Sequence, residues 1–251
     1  MAKTLEDWLE TDVEELSKLS VSELSNTFFF RDPLRPNYID YQHFYSPADG
    51  TILYQKFVED ADDPIVEIKG VNYTLKDVLQ DKTYNKPSLV IGIFMSFYDV
   101  HINRIPYAGV LSYKPLDPIE SMNRPMLATE KDILDMAINP NNMEYLKYNE
   151  RMRNTIYSTK LDYTYDLVQI ADEDVNVIAH FVSEQKEPMC QNERFSLIRW
   201  GSQVDLVLPL DERFNFELQL DDAMHVNAGL DKLVKINYQD NGIKTTYRRN
   251  S

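Results

Sequence analysis

Asn192-Glu-Arg-Phe-Ser-Leu-Ile-Arg-Trp-Gly-Ser-Gln-Val-Asp-Leu-Val-Leu-Pro209 is the stretch on which the reading of this chain turns. Arg194 to Trp200 and Val204 to Leu208 are largely apolar and rich in β-branched and aromatic side chains, which suit a pleated, half-buried surface. Gly201-Ser202 lies between them. On its own such a pair reads as a β-bulge between two strands.

Outward from this stretch the same pattern recurs. Strand-like runs are expected at Tyr45 to Phe57, Ile65 to Ile68, Leu89 to Met95, Gly109 to Tyr113, Thr155 to Tyr157, Tyr163 to Ile170, Val175 to Val182, Phe214 to Leu220 and Leu233 to Tyr238. Leu5, Trp8, Leu9, Val13, Leu16 and Leu19 recur at three- and four-residue spacing, which predicts an amphipathic helix with an acidic outer face. Thr74 to Gln80 reads as one or two helical turns, and Glu130 to Ala137 as a short helix within a Met-, Pro- and Asn-rich stretch that reads either as a lid or as a plain surface loop. Phe28 to Pro36 carries two prolines and reads as an extended connector pinned by its aromatics. The expected fold is α+β, mainly β: a single domain of mixed or antiparallel sheets with peripheral helices, comprising an N-terminal helical segment (1–26) and the main domain (27–251).

Composition narrows the function. The 251 residues suffice for a sizeable core, and an apolar fraction of 43% is that of a globular protein. A formal charge of −15 makes nucleic acid an improbable partner, because phosphate binding needs clustered cations. The basic pairs Arg31/Arg35, Arg151/Arg153 and Arg248/Arg249 read as solvated faces. The single cysteine, Cys190, excludes an internal disulfide and fits a reducing compartment. His43, His180 and His225 lack metal-ligand spacing, the carboxylates Asp172 to Asp174 read as a solvated turn, and no metal is called for. Ser88 to Phe97, the most apolar run, is far shorter than the ~20 residues of a membrane-spanning helix. With no apolar leader after Met1, the expectation is a cytoplasmic or peripheral membrane protein.

Three further segments carry chemistry. Tyr45-Ser-Pro-Ala-Asp-Gly-Thr-Ile52 is a turn opening a strand: proline sets φ, aspartate caps, glycine permits a positive φ. Ile68-Lys-Gly-Val-Asn-Tyr-Thr-Leu-Lys-Asp-Val-Leu79 is a turn at Gly70 and Asn72 followed by a helix capped by Thr74. Phe97-Tyr-Asp-Val-His-Ile-Asn-Arg-Ile-Pro-Tyr-Ala-Gly109 places Asp99, His101 and Arg104 at a strand end, where an imidazole could act as acid or base near neutral pH.

In this order the four segments resemble the phosphatidylserine decarboxylase family. The likeness runs from about Phe28 to Pro209, and is weak between Pro115 and Lys147. Ser-Pro-Ala-Asp-Gly matches a family motif, which makes Asp49 the residue expected to assist self-cleavage. Asp-Val-His-Ile-Asn-Arg resembles the variant of the Asp-x-His motif in which arginine, here Arg104, stands where better-known members have a second histidine, so His101 is expected to serve alone. Trp200-Gly-Ser-Gln203 resembles the family's scissile Phe-Gly-Ser.

The resemblance implies a proenzyme cut between Gly201 and Ser202. Ser202 Oγ attacks the Gly201 carbonyl with Asp49 and His101 assisting. The ester then eliminates, and Ser202 becomes a covalent pyruvoyl cofactor. That group forms a Schiff base with a substrate amine and takes up the electron pair left by CO2. His101 is the expected acid for the carbon that CO2 leaves. The implied reaction is phosphatidylserine to phosphatidylethanolamine and CO2. A soluble pyruvoyl-dependent amino-acid decarboxylase and an uncleaved, non-enzymatic family member are the alternatives. Peripheral membrane contact and a homodimer stay open.

Overall fold

The computed structural model describes residues 1–24, 28, 30–36, 39–117, 122–172, 178–199 and 201–239. Trp200, Glu173, Asp174, the first part of the Val175 to Val182 run and the Arg248/Arg249 pair lie outside the described residues.

Strict alternation builds the centre. In Ser88–Met95 the side chains of Leu89, Ile91, Ile93 and Met95 enter one core cluster, while Val90 and Phe94 enter a second on the opposite face. Ser202–Pro209 repeats the pattern: Val204, Leu206 and Leu208 join the first cluster and Val207 the second. Both strands belong to a nine-stranded sheet in which every pairing is antiparallel, so the antiparallel option holds. Ser202–Pro209 is the fifth of the nine, between Ser88–Met95 and Tyr163–Ala171.

The first core cluster lies under two small three-stranded sheets, one of His43–Tyr45, Phe214–Leu218 and Lys232–Tyr238, the other of Ile102–Arg104, Ile178–His180 and Arg194–Ile198. The second is covered by short helices, Leu75–Leu79, Leu127–Leu134 and Tyr145–Tyr148, and by the N-terminal helical run. That run is two α-helical pieces, Leu5–Trp8 and Glu14–Leu16, joined through a π-helical Leu9–Val13; of the apolar residues at helical spacing it buries Leu5, Trp8 and Val13, while Leu9 and Leu16 are half-buried and Leu19 is exposed. Lys3–Thr4 also pairs with Met224–Val226 at the edge of the main sheet, so the N-terminal segment meets a strand that follows Ser202 in the chain. Thr74 caps Leu75–Leu79 through a reciprocal box with Asp77.

Two expectations are corrected. Arg31 does not lie on a solvated face: it donates to the carbonyls of Tyr98 (2.8 Å) and Asp99 (3.2 Å), and its guanidinium lies over the ring of Phe28 in the connector, 3.4 Å from the centroid, while Phe29 lies outside the described residues. Arg151 and Arg153 are not a solvated pair either. Arg151 is fully buried and donates to the carbonyls of Leu146 and Asp77, and Arg153 forks onto Asp166 at 2.9 Å. A buried guanidinium is tolerated because its donors find acceptors.

The ladder has a consequence for scission at Gly201–Ser202. Residues beyond the cut stay paired with Ser88–Met95 and Tyr163–Ala171, and Val204, Leu206 and Leu208 each contribute roughly 1.5–3 kcal/mol by burial. The two pieces of a cut chain are expected to co-elute as one particle on native size exclusion and to separate only in denaturant.

Candidate active site

The turn after Ser88–Met95 is organised by Asp99. Its Oδ2 accepts from the Ser96 amide and hydroxyl, both at 2.7 Å. Its Oδ1 accepts from His225 Nε2 at 2.6 Å, and the His225 ring stacks on Trp8 with centroids 4.4 Å apart. Burial pushes the Asp99 carboxyl up, but His225 and the Ser96 donors outweigh it and hold it below its ordinary value.

The same turn aims the Ser96 carbonyl at His101 Nε2, 2.9 Å away. A carbonyl only accepts, so the ring proton sits on Nε2 and the lone pair on Nδ1. Nδ1 faces Ser202 Oγ at 3.4 Å, a loose contact of the kind acid–base pairs show before reaction. Burial brings the His101 pKa down to about 4, so the ring is neutral at pH 7. The Met95 sulfur lies 3.3 Å from the same hydroxyl, because Ser202 and Met95 are partners in the ladder. A buried hydroxyl facing the lone pair of a neutral imidazole is the first half of a nucleophile–base pair.

Asp49 is brought to the same end of the sheet by Gly50. That glycine has φ +152°, and a β-carbon there would lie 2.1 Å from the Phe94 carbonyl oxygen, so only glycine lets the turn lie against the strand. The Asp49 carboxylate is held by a fork from Arg35 (2.6 Å twice) and by the Ala228 amide (2.7 Å). Its negative charge favours protonation of His101. The orienting position behind His101 is occupied by the Ser96 carbonyl. Arg104, at the place of the second family histidine, points away to the Asn192 carbonyl (2.9 Å) and to Asp32 (3.5 Å).

Gly201 has no positive φ. Its requirement is space: a β-carbon there would lie 2.8 Å from Asp172 Oδ2 and 3.9 Å from Met126 Cβ. Asp172, expected in a solvated turn, is buried and accepts from the Met126 amide at 2.8 Å. Along the helix from Met126, the buried Glu130 accepts from the Phe97 amide at 3.3 Å.

Sequence reading named Ser202, His101 and Asp49, and the fold gathers all three at one end of the sheet. It missed His225, Arg35, Asp172 and Glu130. Glu130 had a signal, since Met126, Glu130 and Ile133 lie at helical spacing on one face. Among the described residues no group of His, Cys, Asp and Glu could hold a metal ion.

Residues 25–232 match the family model described as phosphatidylserine decarboxylase. The chain belongs to this family. The phosphatidylserine decarboxylases are carboxy-lyases, and the chain is an enzyme of that class. It is 27% identical over 223 residues to the phosphatidylserine decarboxylase proenzyme of Prosthecochloris aestuarii, covering 88% of this chain and 81% of that protein. Proteins of the same name from Ehrlichia chaffeensis and Pelagibacter ubique are 31% and 30% identical, over 73% and 71% of this chain and 65% and 67% of theirs.

Two outcomes are expected. His101→Ala should slow any cleavage at Ser202 by on the order of 10²–10⁴-fold, the usual worth of a general base. In the unmodified chain the base form exists above its folded pKa, so the rate should fall as pH drops through about 4 and not near the ordinary 6.5. A time course of intact mass against pH checks both. Arg35→Ala should destabilise the protein by about 3–5 kcal/mol in denaturant titrations, because it strands a buried carboxylate.

Proposed function

We propose that the chain is a self-processing proenzyme in which Ser202 becomes a pyruvoyl group, and that the mature enzyme decarboxylates phosphatidylserine to phosphatidylethanolamine. The observation that carries this reading is the buried Ser202 hydroxyl set against the lone pair of neutral His101, immediately after Gly201.

In processing, His101 Nδ1 accepts the Ser202 proton as Oγ adds to the Gly201 carbonyl carbon. The C–N bond breaks as the nitrogen takes up a proton, leaving an ester. Loss of the Ser202 Cα proton expels the Gly201 carboxylate, and hydrolysis of the resulting dehydroalanine end releases ammonia. Asp49 contributes a fixed negative charge that favours the imidazolium formed along the way.

The surroundings fit a reactive ketone at this position. Met95 and His101 enclose Ser202, among the described residues no lysine is buried, and Cys190 is exposed, so no amine or thiol of the chain's own competes there. When formed, the pyruvoyl ketone condenses with a substrate amine and acts as the electron sink for CO2 loss.

A lipid substrate is favoured by the connector. The segment that sends Arg31 and Arg35 inward to the site turns Phe30, Leu34 and Ile39 outward to solvent. Exposed apolar side chains on the segment that anchors the site suit an acyl chain or a bilayer surface. The net charge of −15 favours the competing reading, a free amino-acid substrate. Release of CO2 from carboxyl-labelled phosphatidylserine in zwitterionic vesicles, beside equimolar labelled free amino acids, separates the two. Turnover of the lipid alone is expected, and turnover of a free amino acid alone would transfer the assignment.

A further inference from the structure

Processing removes the Ser202 nitrogen as ammonia. A substrate amine bonded to the same carbon therefore takes that nitrogen's place, and the substrate carbon that loses CO2 takes the place of Gly201. The groups around Gly201 in the uncut chain are then the groups that meet the reacting carbon. They are Asp172, whose Oδ2 would be 2.8 Å from a β-carbon at Gly201, and Met126, 3.9 Å away. Glu130 stands one helical turn beyond Met126, on the same buried face.

Glu130 is an unusual residue for that position. It is 7% exposed. Its Oε1 accepts from the Phe97 amide, while Oε2 is buried with no hydrogen-bond partner among the described residues. A buried carboxylate oxygen without a donor is expensive. The same oxygen bearing a proton can instead donate once a substrate lies next to it. The titratable groups around it are Asp99 and Tyr98, from the turn that also supplies Phe97, and Asp172, from the end of Tyr163–Ala171. None is a cation. Burial, reinforced by the charges of Asp99 and Asp172, pushes Glu130 up to about 8, so its neutral acid form prevails at pH 7.

His101 is the opposite case. It is neutral, its one N–H is held by the Ser96 carbonyl, and its lone pair faces Ser202. It is placed to take a proton and poorly placed to give one.

We infer that Glu130, and not His101, is the acid that returns a proton to the substrate carbon after CO2 departs. The inference rests on the pyruvoyl reading above. The electron pair left by CO2 comes back to that carbon as a C–H bond, the proton comes from the Glu130 carboxyl, and the carboxylate is reprotonated from solvent before the next turnover. Burial is what chiefly keeps the proton on Glu130, with the charges of Asp99 and, less, Asp172 adding to it.

Glu130→Gln tests this, with the unmodified enzyme in parallel. The variant is expected to cut itself at Gly201 as the unmodified chain does, since Glu130 does not touch Ser202 or His101. Its decarboxylation on phosphatidylserine vesicles should fall on the order of a hundredfold. The unmodified enzyme should lose activity as pH rises through about 8, where Glu130 ionises, and the variant should lack that limb. A second readout does not depend on rate. Without its acid, a proton from solvent is delivered in part to the former ketone carbon. Water then hydrolyses the imine now on the substrate carbon and releases that carbon as an aldehyde, and the amine left on the enzyme makes the small chain heavier by about 1 Da through ketone-for-amine replacement. A variant that cuts itself and keeps the original rate, pH limb and small-chain mass overturns the inference. If Glu130→Gln blocks cutting, infrared spectra of Ser202→Ala with and without Glu130→Gln decide instead. A protonated-carboxyl band at pH 7 that vanishes with Glu130→Gln supports the inference, and no such band overturns it. An unmodified chain that neither cuts itself nor releases CO2 refutes the parent reading, and this one with it.

Discussion

The ladder that pairs Ser202 with Met95 is the constraint from which the rest of the site follows. It places a serine at the first residue of the central strand, with its side chain on the same face as Val204 and Leu206 and against the Met95 sulfur. A shift of one residue would turn Ser202 to the opposite face and bring Gln203, which here bonds Tyr54 and Tyr145, into its place. The turn after Met95 then has only one job, to return His101 to the strand end it has just left. Asp99 does this by clamping Ser96, and the Ser96 carbonyl sets the imidazole tautomer.

Segments far apart in the chain converge on that turn. His225, which follows Gly201–Ser202 in the chain, holds Asp99 from one side, and Trp8 holds His225. Arg31 ties the connector to the carbonyls of Tyr98 and Asp99, while Arg35 closes on Asp49 and the Ala228 carbonyl. The electrostatics divide accordingly. On the Ser202 side, burial lowers His101 and leaves a base. On the Gly201 side, burial and neighbouring carboxylates raise Glu130 and leave an acid. One desolvated strand end thus produces opposite proton affinities in a cation-forming and an anion-forming group, as the physics of burial requires.

Much of this was legible in the sequence, for identifiable reasons. The strands from Leu89 to Met95 and Val204 to Leu208 announce themselves by apolar, β-branched runs, and the N-terminal helix by the spacing of Leu5, Trp8 and Val13. Ser202, His101 and Asp49 sit in recognisable segments. What stayed hidden depends on partners far apart in the chain. Asp99 and His225 are 126 residues apart, and no local pattern joins them. Arg31 and Arg35 look like any surface pair until the fold brings carbonyls and a carboxylate to meet them. Asp172 was misread because the acidic residues that follow it suggest solvent, whereas its own side chain turns in under Met126.

Intact mass under denaturing conditions, of the unmodified chain beside Ser202→Ala, tests the central claim most directly. The account expects the unmodified chain to appear as two pieces divided after Gly201, the smaller about 17 Da lighter than its serine form through loss of ammonia, and Ser202→Ala to appear as one. An unmodified chain that stays whole, or a small piece that still begins with serine, would contradict it.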